Sequence, residues 1–196
     1  MDSINEIVLR YRYGYDGMID INALPDNTTH IRIYFTDYTE PILNLPSSLK
    51  YFYRDYDNTG HCFEGFGELN QIDNFPHGLE VLILNIDKYR SFLHLPSSLE
   101  FITILDGRRH YEELKLIESS KIKPTIIIPF NVKTFITSRF ITDLYEIRLE
   151  NQETKLIICE KECNKTNAFI YHLINTNLPE KYKDYHRKCI IRDYWA

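Results

Sequence analysis

Four cysteines and seven histidines carry most of the chemistry this 196-residue chain has to offer. Cys159-x3-Cys163, with His172 or Cys189 downstream, falls within the loose spacing of a structural zinc site. No second close pair accompanies it, so buried or surface thiols are the better reading. His61 and Cys62 set a base beside a nucleophile, but neighbours on a strand point to opposite faces. Asp106-Gly107-Arg108-Arg109-His110 has the charge to hold an anion, and equally the composition of an ordinary solvated turn. A P-loop, G-x-G-x-x-G, G-x-S-x-G and H-E-x-x-H are all missing from the sequence, so hydrolase, kinase and dehydrogenase readings have no motif behind them. The expectation is a protein that is not an enzyme, with no cofactor and no metal.

The elements that would position any site are announced by a repeat. Leu45-Pro46-Ser47-Ser48-Leu49 recurs as Leu95-Pro96-Ser97-Ser98-Leu99. Looser copies are Leu24-Pro25-Asp26-Asn27-Thr28, Phe75-Pro76-His77-Gly78-Leu79 and Ile128-Pro129-Phe130-Asn131-Val132. Pro fixes φ and holds the residue before it extended, and the Ser or Asn residues that follow can bond nearby backbone and turn the chain. Each unit therefore reads as a corner, with the Leu after the bend pointing back into a core. The prolines at 25, 46, 76, 96 and 129 are spaced by 21, 30, 20 and 33 residues, so two steps carry insertions. One insertion holds the turn cluster Asp57-Asn58-Thr59-Gly60-His61, and the other a charged stretch, Tyr111 to Lys121, with the composition of a short helix.

A fixed distance after each proline comes an apolar pair with one residue between: Ile31/Ile33, Leu82/Leu84 and Ile102/Ile104. Phe52 and Phe135 hold only the first place in their copies. Alternation of this kind is a strand with one buried face. So short a strand cannot bury that face alone, and copies must stack. The fold class expected is a β-rich repeat solenoid of the leucine-rich-repeat type, with short parallel strands, few helices and a cap at each end. Ile7, Leu9 and Tyr11 mark a first strand, and the step from Leu9 to Ile33 lies within the roughly 20–29 residues of such repeats.

The chain divides into an N-terminal cap at 1–20, about five irregular repeats at 21–137 and a C-terminal cap at 138–196. Ile126 to Phe130 has the apolar run of a buried strand. Within the last region, Leu144 to Glu150 and Thr154 to Glu160 alternate around Asn151-Gln152-Glu153 and read as a hairpin. Asn167 to Thr176 suits a short helix, Leu178-Pro179-Glu180-Lys181-Tyr182 a worn corner and Cys189-Ile190-Ile191 a last strand.

Residues alternating with the buried pairs should line the concave strand face. They are His30, Arg32 and Tyr34; Tyr51, Tyr53 and Asp55; Val81, Ile83 and Asn85; and Phe101, Thr103 and Leu105. A sheet face open to water is normally polar, whereas this one mixes Tyr and Phe with Ile and Leu. Apolar, aromatic surface of that kind marks a binding site for a protein partner. The alternatives are coverage by an insertion or by the C-terminal segment, and burial against a second copy in a homodimer.

The corners resemble those of the FNIP-type (FGxxFN) leucine-rich-repeat proteins, numerous in social amoebae and giant DNA viruses. Tyr38-Thr39-Glu40-Pro41-Ile42-Leu43-Asn44-Leu45-Pro46-Ser47-Ser48-Leu49 is similar to their F-N-x-P-I-x-x-L-P-x-S-L unit, with Tyr for Phe and Thr for Asn. Phe66-Gly67-Glu68-Leu69-Asn70-Gln71-Ile72 resembles their F-G-x-x-F-N-Q-x-I with Leu for the second Phe and two spacers missing. The resemblance covers roughly positions 20 to 137 and implies a non-catalytic interaction module.

Bulk composition agrees with that expectation. Apolar residues make up 43% and charged residues 26%, values of a globular domain. A net charge of -5 argues against a nucleic-acid partner, which needs a basic face. The polar start Met1-Asp2-Ser3-Ile4-Asn5-Glu6 lacks the features of a signal peptide, and no apolar run approaches the roughly 18 residues of a spanning helix. A cytoplasmic location away from membranes is the expectation, with reduced cysteines.

Overall fold

A computed structural model describes residues 5–10, 24–34, 45–55, 75–86, 95–106, 123, 125–159 and 167–195. Its strands are β1 (Glu6–Arg10), β2 (His30–Tyr34), β3 (Tyr51–Asp55), β4 (Val81–Ile86), β5 (Phe101–Asp106), β6 (Thr125–Ile128), β7 (Thr134–Ser138), β8 (Glu146–Leu149) and β9 (Lys155–Cys159). The described helices are α1 (Arg139–Leu144), α2 (Asn167–Asn177) and α3 (Glu180–Trp195).

Every strand pairs in parallel. One sheet has the order β1-β2-β3-β4-β5-β7-β9, and a second sheet joins β6 to β8. The chain is therefore a β-solenoid with few helices. The strands are rich in Ile, Val, Phe, Tyr and Thr, which suit a pleated surface packed on both sides.

All five proline corners close in the same way. The carbonyl of Pro25, Pro46, Pro76, Pro96 or Pro129 accepts from the amide three residues on, at 3.0–3.2 Å. This turn drives Leu49, Leu79, Leu99 and Val132 into the interior, where each is fully buried. Hydroxyls lock successive corners together: Ser48 Oγ donates to the Thr28 carbonyl at 2.7 Å and Ser98 Oγ to the Leu79 carbonyl at 2.5 Å.

The apolar pairs stack in register. One interior column runs Ile7, Ile31, Phe52, Leu82, Ile102, Phe135 and Leu156. From Ile31 to Phe135 its members are completely buried. Burial of each such side chain stabilises by about 1.5–3 kcal/mol before the entropy of ordering is set against it. Phe75 fills a gap against Phe52 with edge-to-face rings 6.1 Å apart.

Several expectations for the last sixty residues are corrected. β8 and β9 do not form a hairpin: β8 pairs with β6 and β9 with β7, both in parallel. Asn151 takes the role of the corner proline, its carbonyl accepting from Thr154 N at 3.2 Å. Alternating residues around a turn look the same in a hairpin and in a solenoid corner; the partner across the ladder decides. Coiling therefore continues past 138, through β9. Between β7 and β8 the chain makes α1, whose first turn is capped by Ser138 Oγ accepting from Ile141 N.

Ile126 and Ile128 are buried but Ile127 is 46% exposed, so this run forms a strand with one wet face. Leu178-Pro179-Glu180-Lys181-Tyr182 does bond Tyr182 N to the Pro179 carbonyl, at 2.9 Å, yet that bond opens a helix rather than a corner. Cys189, Ile190 and Ile191 belong to the same helix. Glu, Lys and Arg around them favour helix, and a buried face at Leu178, Tyr182 and Tyr185 outweighs the β preference of Cys-Ile-Ile. The helix expected near 167–176 is present as α2. Among the described residues no helix is long and apolar enough to cross a membrane.

Candidate functional site

Outward from the solenoid interior, the main sheet presents rows that the strand register lines up. One row reads Glu6, His30, Tyr51, Val81, Phe101, Thr134 and Lys155. The next reads Val8, Arg32, Tyr53, Ile83, Thr103, Ile136 and Ile157. These are the residues expected to offer an open binding face, and the structure brings them together on one surface. That surface is not open. His30, Arg32, Tyr51, Tyr53, Val81, Ile83, Phe101, Thr103 and Leu105 are all buried. Ile174, Leu178, Tyr182 and Tyr185 of the C-terminal segment pack with them in a second apolar cluster, separate from the solenoid interior. The backbones of Tyr34, Asp55 and Asn85 continue the strands, while their side chains lie outside the described residues.

The cover is attached by aromatic rings and shared protons. His30 stacks on Tyr51 at 5.5 Å and meets the Tyr185 ring edge-on at 4.4 Å. Tyr51 Oη and His186 Nδ1 share a hydrogen bond of 2.7 Å. Glu6 Oε1 accepts from Tyr185 Oη at 2.7 Å and from Arg32 Nε at 2.7 Å. Arg32 also lies 5.9 Å from the Tyr185 ring centroid, within cation–π range. One carboxylate thus ties the first strand, the second strand and α3 together.

A second anchor sits at the mouth of β4 and β5. Glu80 accepts from Tyr182 Oη at 2.8 Å and from Lys181 Nζ. Lys181 bridges on to Glu100 at 3.2 Å, and Glu100 pairs with Lys133 at 2.8 Å. Burial alone would raise the Glu80 carboxyl, but the bonds from Lys181 and Tyr182 outweigh it and hold the group below the usual range. Burial, with Glu80 alongside, raises the Tyr182 phenol. It also lowers both imidazoles from 6.5 to about 4, that of His30 with Glu6 opposing and Arg32 assisting, that of His186 with Arg32 assisting.

Sequence reasoning missed the covering residues. Leu178, Tyr182, Tyr185 and His186 recur at helical spacing on one face, which is the signal that would have found them. The likeness of Leu178-Pro179 to a repeat corner obscured it. Of the residues with chemistry to offer, Cys159 is buried and belongs to the second cluster. His172 is exposed on α2, and Cys189 lies on α3. Cys163, His61, Cys62 and the stretch 107–110 lie outside the described residues, as do the expected turn at 57–61 and helix at 111–121. Among the described residues no group of three or more His, Cys, Asp or Glu is placed to hold a metal.

The solenoid also has an unfinished end. Leu156 and Ile158 occupy interior columns, in register with Phe135 and Thr137. They are nevertheless 39% and 38% exposed, because β9 has a neighbour on one side only among the described residues. Phe130 at the adjoining corner is 62% exposed. No protein-family model, curated protein or solved structure matches this chain.

Proposed function

We propose that the chain is a non-catalytic interaction module and that its contact surface is the end of the coil stack at β8 and β9. The observation that carries this reading is the exposure of Leu156 and Ile158, one from each interior column, on a strand paired on one side only among the described residues. An extended segment of another protein can add to an edge strand while covering its apolar side chains. The strand face cannot serve in this arrangement, since its described members lie under α2 and α3. The resemblance of the Leu-Pro-Ser-Ser-Leu corners to FNIP-type leucine-rich repeats supports the same class of function.

A second reading is self-association, favoured by one feature of the register. Glu6 on β1 and Lys155 on β9 hold the same position in one row, at opposite edges of the sheet. A head-to-tail pair would set these opposite charges side by side and continue both interior columns.

The test is the double variant Leu156→Lys/Ile158→Lys, checked for an unchanged circular dichroism spectrum. For self-association, light scattering across a concentration series shows a wild-type oligomer that the variant loses. For a different partner, the wild type is monomeric and captures a protein from native extract that the variant fails to capture. A monomer whose captured proteins are the same with and without the substitutions rules out this end as the contact surface.

A further inference from the structure

We infer that α3 is a detachable cover, released from the strand face by mild acid, and that its release bares an aromatic surface without opening the solenoid. This is independent of the end surface proposed above.

The geometry separates the two events. The interior of the solenoid is an aliphatic cluster built from Ile31, Leu82, Ile102 and their neighbours. The residues of α3 belong to the other cluster, on the far side of the sheet. Lifting the helix breaks no strand pairing and removes no side chain from the interior. What it breaks is a set of polar side-chain bonds: Tyr185 to Glu6, Tyr182 and Lys181 to Glu80, and Tyr51 to His186.

Two imidazoles lie inside this interface. His30 is faced by Glu6 from β1, by Arg32 and Thr29 from its own segment, by Tyr51 from β3, by Glu80 at the start of β4, and by Tyr182 and Tyr185 from α3. His186 is faced by Tyr51 and Tyr53 from β3 and by Arg32 from β2. Both rings therefore sit near the buried Arg32 guanidinium, whose bonded carboxylate, Glu6, already serves Tyr185 as well. A proton on either ring adds positive charge beside Arg32 in a site from which water is largely excluded. In the lifted helix the same proton is solvated.

The direction follows from linkage. The docked imidazoles titrate at about 4, against 6.5 in water. Above 6.5 neither form binds the proton and the cover is indifferent to pH. As pH falls from 6.5 towards 4 the lifted form takes up protons that the docked form refuses, by a factor of about thirtyfold per histidine at pH 5. Glu80, held below the usual 4.5 by Lys181 and Tyr182, keeps its contribution down to about 4.5 and loses it as pH falls further.

The experiment is hydrogen exchange with mass spectrometry on the full chain at pH 7.5 and pH 5.0, corrected for intrinsic rates. The expected result is loss of protection in 180–188 at pH 5.0 by tenfold or more, with β4 and β5 unchanged. In H30Q/H186Q, where neither side chain titrates, that pH dependence should vanish. Equal protection at both pH values, loss that includes β4 and β5, or the same loss in the double variant would each overturn the inference. If the double variant is already unprotected at pH 7.5, an NMR titration of the wild-type histidines decides. Midpoints near 4 support an acid-released cover, and midpoints near 6.5 remove it.

Discussion

The phenol of Tyr51 and Nδ1 of His186 lie 2.7 Å apart, joined across 135 positions of sequence. This bond fastens the middle of the aromatic face to the helix that covers it. Tyr51→Phe keeps the ring and its contacts with His30 and Tyr185 while deleting the hydroxyl. The expected cost is about 1–2 kcal/mol, confined to docking of α3. Exchange in 180–188 should accelerate roughly tenfold with β4 and β5 unaffected. Uniform acceleration across the strands would show instead that face and cover unfold as one unit.

Gly78 occupies the corner position held by Ser48 and Ser98 in the neighbouring copies. A Cβ built there meets the flexible tip of Lys50, Nζ, at 3.1 Å and backbone only at 3.7 Å. Gly78→Ser should therefore fit once Lys50 shifts, and its hydroxyl should reach the Leu49 carbonyl as Ser98 reaches that of Leu79. Lower unfolded-state entropy and one added hydrogen bond predict a gain of about 0.5–1 kcal/mol in urea denaturation. A loss of stability would show that Lys50 cannot give way.

Leu82 is completely buried in the central column between Phe52 and Ile102. Leu82→Ala should cost about 2–5 kcal/mol of global stability, because the stacked strands on either side cannot close around the space left. Ile31→Val, two strands nearer the N-terminal edge, should cost about 0.5–1.5 kcal/mol. Urea midpoints of the two variants measure both values, and equal losses would mean that the column is loosely packed.

Stability should also depend on pH in a defined window. His30 and His186 titrate at about 4 when buried and at 6.5 when exposed. The unfolded chain therefore binds more protons as pH falls, and stability should be flat above 6.5 and decline steadily towards 4. Glu80 and Glu100 are both held below the usual carboxylate range, so each adds stability that is present above about 4.5 and lost below it. Urea unfolding at intervals from pH 8 to pH 4 tests the profile. A maximum near pH 5 would contradict it.

The corners, the interior columns and the strands β1 to β5 were legible in the sequence alone. Each depends on residues a few positions apart: a proline, a hydroxyl, and an apolar pair with one residue between. Such short-range patterns are repeated by the chain itself, so the copies at 24–28, 45–49, 75–79, 95–99 and 128–132 explain one another. The same patterns identified which residues share the outer face, because side chains alternate along any strand.

Only the tertiary structure decided what becomes of that face. Tyr185 reaches Glu6 across 179 positions and Lys181 reaches Glu80 across 101. An aromatic strand face looks the same whether a partner or the chain's own helix covers it, since burial is a property of the neighbour and not of the residue. The pairing of β8 and β9 was decided in the same way. Alternation around Asn151 suits an antiparallel hairpin or a parallel corner equally, and the waiting edges of β6 and β7 selected the corner.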